Sequence, residues 1–298
     1  MLDIKTKQSK NEVYISGILK ELDVKEKTTG DGRDYVSVLA TVRADQEVDG
    51  EMTENEYPVR LFAFKKKSNG EDNKLYPIYV KYAENFTSLS AAETPNQASR
   101  VTVYGDRVNL SENIYYNANT QKLFEKSFQI NANFLNAARE SDEEGGHFEL
   151  SGVIGKTYEE TDKDGAETGR LIIDFIIIGY NGRADVVKLY AKGNAKSFIE
   201  QNWNDGDTVK VTGDIVMSYK VDTILEEQGF GKPIERRVTT SRRELIITGG
   251  SNSGLEEELS YDANDIKVAL NERNARKEAA KTPKSGTTTA AKKTGFDF

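Results

Sequence analysis

Val59-Arg60-Leu61-Phe62-Ala63 and Val187-Lys188-Leu189-Tyr190-Ala191 spell one pattern twice: apolar residue, cation, leucine, ring, alanine. Successive side chains of a β-strand point to opposite faces. Each pentapeptide therefore puts valine, leucine and alanine on one face and a cation beside a ring on the other. Two further pairs repeat in the same order. Val13-Tyr14-Ile15-Ser16-Gly17-Ile18 matches Phe148-Glu149-Leu150-Ser151-Gly152-Val153, and Val101-Thr102-Val103-Tyr104-Gly105-Asp106 matches Val209-Lys210-Val211-Thr212-Gly213-Asp214. Three matches in one order read as an internal duplication.

Working outward, each half holds about five runs of alternating apolar residues separated by turn residues. In the first half they lie near 12–23, 34–44, 56–65, 100–116 and 122–134. In the second they lie near 147–158, 169–180, 185–192, 207–219 and 236–248. Between the third and fourth runs of the second half, Asn194 to Trp203 carries its apolar residues at helical spacing and ends at Asn204-Asp205-Gly206-Asp207. Tyr76 to Leu89 is the equivalent helix of the first half. Five strands with a helix between the third and fourth is the order of the OB-fold. The expectation is an all-β protein of two tandem five-stranded OB barrels, 1–140 and 147–250. The polar, glycine-bearing 141–146 is read as a linker. Residues 251–281 read as a linker and a helix rich in Ala, Glu, Lys and Arg. Residues 282–298 read as a disordered tail ending in Phe-Asp-Phe.

Composition narrows the classes. Apolar residues make up 37% and no run approaches a membrane span. The first fourteen residues lack an apolar signal core, so the expected location is the cytoplasm. With no cysteine there is no disulfide, thiolate metal site or cysteine nucleophile. The net charge of −8 argues against a generic polybasic nucleic-acid binder. Residues 1–140 carry 19 Lys+Arg against 21 Asp+Glu, so a basic groove must come from local clustering. The lone His147, the Asp162-Lys163-Asp164-Gly165 turn and Gly229-Phe230-Gly231-Lys232 each fall short of a catalytic, calcium or phosphate-loop signature. Neither an enzyme nor a cofactor is expected.

The order Ser-Gly-apolar, then Val-[Arg/Lys]-Leu-[Phe/Tyr]-Ala, a helix, then Val-x-Val-x-Gly-Asp resembles the single-stranded-DNA-binding proteins of bacteria and their phages. The resemblance covers roughly 11–250 and the aromatic tip. It implies single-stranded DNA as partner, a role in DNA replication, recombination or repair, and a tip (Phe296, Asp297, Phe298) that docks replication or recombination proteins. Common bacterial members carry one OB domain per chain and a strongly acidic tail. Two domains here, and Lys292 and Lys293 beside a single Asp297, fit better with a phage-encoded version.

Alternation supplies the candidate contacts. Arg60, Phe62 and Phe64 face outward if Val59, Leu61 and Ala63 are buried. Lys188, Tyr190 and Lys192 follow in the second half, as do Tyr35 and Arg43 opposite Val36, Val38 and Val42. Outward Thr102 and Tyr104 correspond to Lys210 and Thr212. Loops add Lys25, Lys27, Arg33, Lys65, Lys66, Lys67, Tyr115, Tyr116, Phe230, Lys232, Arg236 and Arg237, while Arg242 and Arg243 read equally as strand-edge charges. Cations meet phosphates and rings stack bases, at roughly 1–3 kcal/mol per base. Two rival readings use the same residues. One is a structural β-protein of a virion or complex whose rings make protein contacts; the other is a strand-annealing recombination mediator.

Overall fold

A computed structural model describes residues 8–105, 108–117, 120, 122–226, 230, 234–256 and 259–281. The strands of the first half are β1 (Asn11–Thr28), β2 (Asp34–Val48), β3 (Glu51–Phe64), β4 (Arg100–Val103), β5 (Val108–Asn117), β6 (Lys122–Ala132) and β7 (Asn136–Ala137). Those of the second are β8 (Gly145–Thr161), β9 (Glu167–Ile178), β10 (Ala184–Lys192), β11 (Thr208–Glu226) and β12 (Ile234–Gly250). Helices α1 (Leu75–Val80) and α2 (Tyr82–Asn85) lie between β3 and β4, α3 (Gly193–Asn202) between β10 and β11, and α4 (Ala263–Lys281) follows β12. The protein is mostly β and OB-like. Among the described residues no helix is long and apolar enough to cross a membrane.

Period-2 alternation fixes the long β2–β3 hairpin. Val36, Val38, Ala40, Val42, Ala44 and Val48 on β2 are buried, as are Tyr57, Val59, Leu61 and Ala63 on β3. Their neighbours point away from the core. The register runs from Tyr35 opposite Phe64 to Val48 opposite Glu51 without a shift. The turn is Asp49-Gly50, both with positive φ (62° and 84°), the conformation of a two-residue hairpin whose twist matches its strands.

Strand pairing is similar in the two halves but not identical. In the second, β8 pairs β9 and β11, β9 pairs β10, β10 pairs β12 in parallel, and β12 pairs β11, so the strands close in a ring. In the first, β1 pairs β2 and β4, β2 pairs β3, β3 pairs β6 in parallel, and β6 pairs β5. The run expected to form one fourth strand is split after Val103, and among the described residues the pairings do not close a ring through β4 and β5. The repeated Ser-Gly acquires a physical meaning. A Cβ on Gly17 would lie 2.2 Å from the Arg43 carbonyl oxygen, and one on Gly152 would lie 2.4 Å from that of Ile176. Only glycine lets the first strand of each half bend this close to its neighbour.

The halves are not beads on a tether. Gly145 and Gly146, read as linker, begin β8 and pair with Ser16 and Ile15 of β1, so one sheet runs through both halves. The separate barrels expected from the repeat are merged because β8 keeps pairing past its own half. Polar contacts reinforce the junction. The Tyr57 hydroxyl lies 2.9 Å from Gln46 Oε1 and 3.0 Å from the Ile215 carbonyl oxygen. Gln46 Nε2 donates to Asp214 Oδ1 at 3.0 Å, and the Met217 N–H donates to Asn55 Oδ1 at 2.9 Å. Burial pushes the Tyr57 hydroxyl pKa far up, so it stays a neutral donor.

The helices plug or cover. Tyr79 and Tyr82, one from each of α1 and α2, are buried beneath the first half, where one longer helix was expected. Trp203, which caps α3, is buried in the second half and its Nε1–H donates to the Ser251 carbonyl at 3.1 Å. Strand β9 is apolar on both faces: Ile173 and Phe175 face the barrel, while Ile176 and Ile178 pack with Tyr261 and Ala269 around α4.

Candidate nucleic-acid interface

The outward positions of β2 and β3 in the first half converge on a cluster of rings. Phe62 is 51% exposed and stands 5.2 Å from the Tyr35 ring and 5.0 Å, edge-on, from Phe64. The Arg33 guanidinium lies 4.6 Å over the Phe64 ring. Leu39 on β2 is also exposed, opposite Arg60. The two rings expected from β3, Phe62 and Phe64, together with Tyr35, therefore share one open face with a guanidinium beside them. The cost of leaving Phe62 half in water is a reason to look for an occupant, since a folded chain gains by burying such rings.

A cleft of about 720 Å³ adjoins this cluster and is lined by Arg33, Phe64, Lys65, Lys66, Lys67 and Asn73. The cations around it are partly paired. Lys65 lies 3.5 Å from Asp34 and 5.9 Å from the Tyr76 ring, Lys67 lies 3.3 Å from Glu71, and Arg33 bonds Asp31 at 2.9 Å. The Asp34 carboxyl is held below the usual range by the Thr28 hydroxyl and by Lys65. Among the described residues Arg60 and Lys66 make no ion pair. Lys25 pairs with Asp23, and the Tyr76 hydroxyl donates to Glu26 at 2.6 Å, which pushes its pKa up to about 12.

The outer face of the second half has the expected residues but not the same freedom. Lys188 is exposed, yet its ammonium donates to the Tyr158 hydroxyl and lies 3.9 Å from Asp174. Tyr190 is half-buried beneath the Arg170 guanidinium, 4.6 Å from its centroid, and Arg170 bonds both Glu244 oxygens at 3.2 and 2.8 Å. Burial pushes the Tyr190 hydroxyl up. The reading of Tyr190 as an open stacking platform is corrected: an arginine already stacks on it. Lys192 is salt-bridged at 2.6 Å to Asp49, the hairpin tip of the first half.

Other expected positions fall elsewhere. Arg43 is paired with Glu54 at 2.6 Å. Thr102 is buried, its hydroxyl donating to the Ile15 carbonyl at 3.1 Å, so its outward assignment is overturned: this short strand is covered on both faces. Tyr104 is exposed but lines separate hollows with Tyr14, apart from the ring cluster on β2 and β3. Lys27 is exposed in the first hairpin, and Arg236, Arg237 and Phe230 are exposed on the β12 side of the second-half hairpin. Lys232, Phe296, Asp297 and Phe298, and the side chain of Tyr115, lie outside the described residues. Tyr158 and Arg170 were missed. Their signal was the same alternation, since Arg170 and Asp174 flank the buried Leu171 and Ile173. The missed partner Asp49 had only an Asp-Gly turn to announce it.

A second cleft, about 730 Å³, lies between β5–β6 and the β9–β10 turn. Its amides converge on one hydroxyl: Asn131 Nδ2 donates to Ser111 Oγ at 2.8 Å and Gln129 Nε2 to the same oxygen at 3.1 Å. It has neither stacked rings nor a run of cations, and the ring-bearing face of β2–β3 is the stronger candidate. Among the described residues no cluster of His, Asp and Glu is placed to hold a metal ion.

Solved structures with similar backbones include the wild-type single-stranded DNA binding protein from Thermus aquaticus, at TM-score 0.49 and 11% identity, covering 84% of this chain and 95% of that one. A deletion mutant of that protein is similar at TM-score 0.49 and 12% identity, covering 84% and 97%. No curated protein matches the sequence. The model of the YorF family matches residues 10–284, and the chain belongs to that family.

Proposed function

We propose that this member of the YorF family binds single-stranded DNA without strong sequence preference, through two OB-type modules of which the first carries the main site. The observation that carries the reading is the Tyr35–Phe62–Phe64 cluster with Arg33 over its edge, open to solvent on the outer face of β2 and β3. Unstacked bases present flat apolar faces that such rings accept whatever the sequence. Arg60, Lys66 and the lysines beside the cleft then meet the phosphates. The OB face centred on the second and third strands is where such a ligand lies. The second module adds Lys188 and Lys192, and tethering two sites raises apparent affinity through effective concentration. The role is strand coating and protection during replication or recombination, with no covalent chemistry. Partner recruitment through Phe296, Asp297 and Phe298 is part of the same proposal.

The test is fluorescence anisotropy of labelled oligo(dT) titrated with protein at several salt concentrations. Wild-type affinity falls linearly on a log–log salt plot, by about 0.7 per phosphate contact. Phe62→Ala loses roughly one base stack, about 1–3 kcal/mol, while Lys188→Ala, already engaged within its own module, loses less than Arg60→Ala. Salt-independent binding, or full affinity in Phe62→Ala, overturns the reading in favour of a protein-contact role for the rings.

A further inference from the structure

The carboxylate of Asp49 lies 2.6 Å from the Lys192 ammonium and 3.3 Å from the Arg242 guanidinium. It belongs to the first module and sits at the tip of the β2–β3 hairpin; both cations belong to the second. Lys192 ends β10, on the same face as Lys188 and Tyr190. Arg242 lies on β12 and is shared with Glu244, 2.7 Å from its Nε. None of the three is deeply enclosed: their side chains are 26%, 47% and 32% exposed.

A carboxylate held between an ammonium and a guanidinium has the charge and the acceptor oxygens of a phosphodiester, and a guanidinium recognises both by the same donors. We propose that Lys192 and Arg242 form a phosphate-binding site on the second module, and that Asp49 occupies it in the free protein as a stand-in for a backbone phosphate. Three observations support this over a plain strut between modules. The hairpin is already anchored without the ion pair, because Val48 packs with Val216 and Ile246, and Gln46 bonds Asp214. Asp49 stands at a positive φ of 62°, a turn position where asparagine or glycine serves equally well, so the turn itself does not require the acid. Finally, Arg60 of the first module has no acid partner among the described residues, whereas Arg170, Lys188 and Lys192 on the second module's equivalent surface each have one. Despite some burial, Lys192 and Arg242 hold the Asp49 carboxyl below its ordinary value, so it is ionised at neutral pH and competes with an incoming strand. Displacing it exchanges one anion for another, so the second module engages DNA only after the first has brought the strand close.

The inference rests on the single-strand reading for the identity of its ligand, and the experiment separates the two. Asp49→Asn keeps the hairpin shape and frees both cations. Against labelled oligo(dT), the variant gains about three- to tenfold in affinity at low salt, the span that two part-exposed ion pairs are worth. Its salt slope steepens by about 1.4, two further contacts at about 0.7 each. Independently of DNA, Lys192 acetylation followed by mass spectrometry is faster in Asp49→Asn than in wild type, and inorganic pyrophosphate protects it in the variant. If wild type binds oligo(dT) and Asp49→Asn shows the same slope and no pyrophosphate protection, the phosphate site is overturned and the strand-binding reading stands. If pyrophosphate protects Lys192 but neither protein binds oligo(dT), the site stands and the strand reading fails.

Discussion

A Cβ on Gly146 would stand 2.7 Å from the Tyr57 ring, and Tyr57 is itself fixed by Gln46 and the Ile215 carbonyl. Overpacking of this kind forces neighbours off their rotamers at about 1–3 kcal/mol. Gly146→Ala is therefore expected to lower the unfolding free energy measured in urea by that amount, whereas Gly30→Ala, with nothing near its Cβ position, stays within about 0.5 kcal/mol of wild type. The same scale shows what alternation can and cannot tell. Phe62, Phe64 and Tyr35 were legible as outward rings from the buried Leu61, Ala63 and Val36 beside them. Whether an outward residue is free is decided by partners distant in sequence. Tyr190 is capped by Arg170, and Lys192 is held by Asp49, and no window around either residue contains that information. Thr102 fails for another reason. Val101, Thr102 and Val103 of β4 are all buried, with the Thr102 hydroxyl turned to the Ile15 carbonyl, so an alternating pattern does not have a wet face there.

At the level of elements, α4 does more than end the chain. Its Ala269, with Ile266 and Leu270, covers Ile176 and Ile178 on the outer side of β9, which explains why that strand is apolar on both faces. Farther along, Arg273 grips the Glu112 carboxylate of β5 in the first half, with Nε at 2.8 Å and side chains only 13% and 6% exposed. Removing one member of so enclosed a pair leaves an uncompensated charge, at about 3–5 kcal/mol. Arg273→Ala is expected to lower stability by that order in chemical denaturation, and adding Glu112→Gln recovers part of the loss. A variant with unchanged stability would show the pair to be open to water. The helix was legible from composition and the strands from their period. The break at Lys81, between α1 and α2, and the split of the fourth strand into β4 and β5 were not, because both depend on how the chain closes over the first half. The linker was misread for a simple reason: Ser-Asp-Glu-Glu-Gly-Gly has the composition of a tether, yet its glycines are what the tight approach to Tyr57 and Gln46 demands.

For the whole molecule, two halves built as separate domains would ordinarily unfold as two units, each with its own core. Here β1 pairs with β8, one hydrophobic cluster spans both halves, and polar bonds among Gln46, Tyr57, Asn55, Asp214 and Met217 cross the junction. Opening either half exposes the edge of the other's sheet and strands buried polar groups, whose loss costs about 1–3 kcal/mol apiece. The two halves should therefore melt together. Calorimetry is expected to give one transition whose calorimetric and van't Hoff enthalpies agree, the signature of an all-or-none unit. Replacing Tyr57 by Phe and Asn55 by Ala together weakens the junction without touching the outward rings, and should split the transition in two while leaving oligo(dT) affinity close to wild type. Two transitions in the unaltered protein would mean that the shared sheet and cluster do not couple the modules. Binding adds a second handle on the same coupling. A strand that engages only the first module still stabilises the folded state by RT ln(1 + [L]/Kd), and in a coupled molecule that gain must raise the single melting temperature of both halves, including the one the strand does not touch.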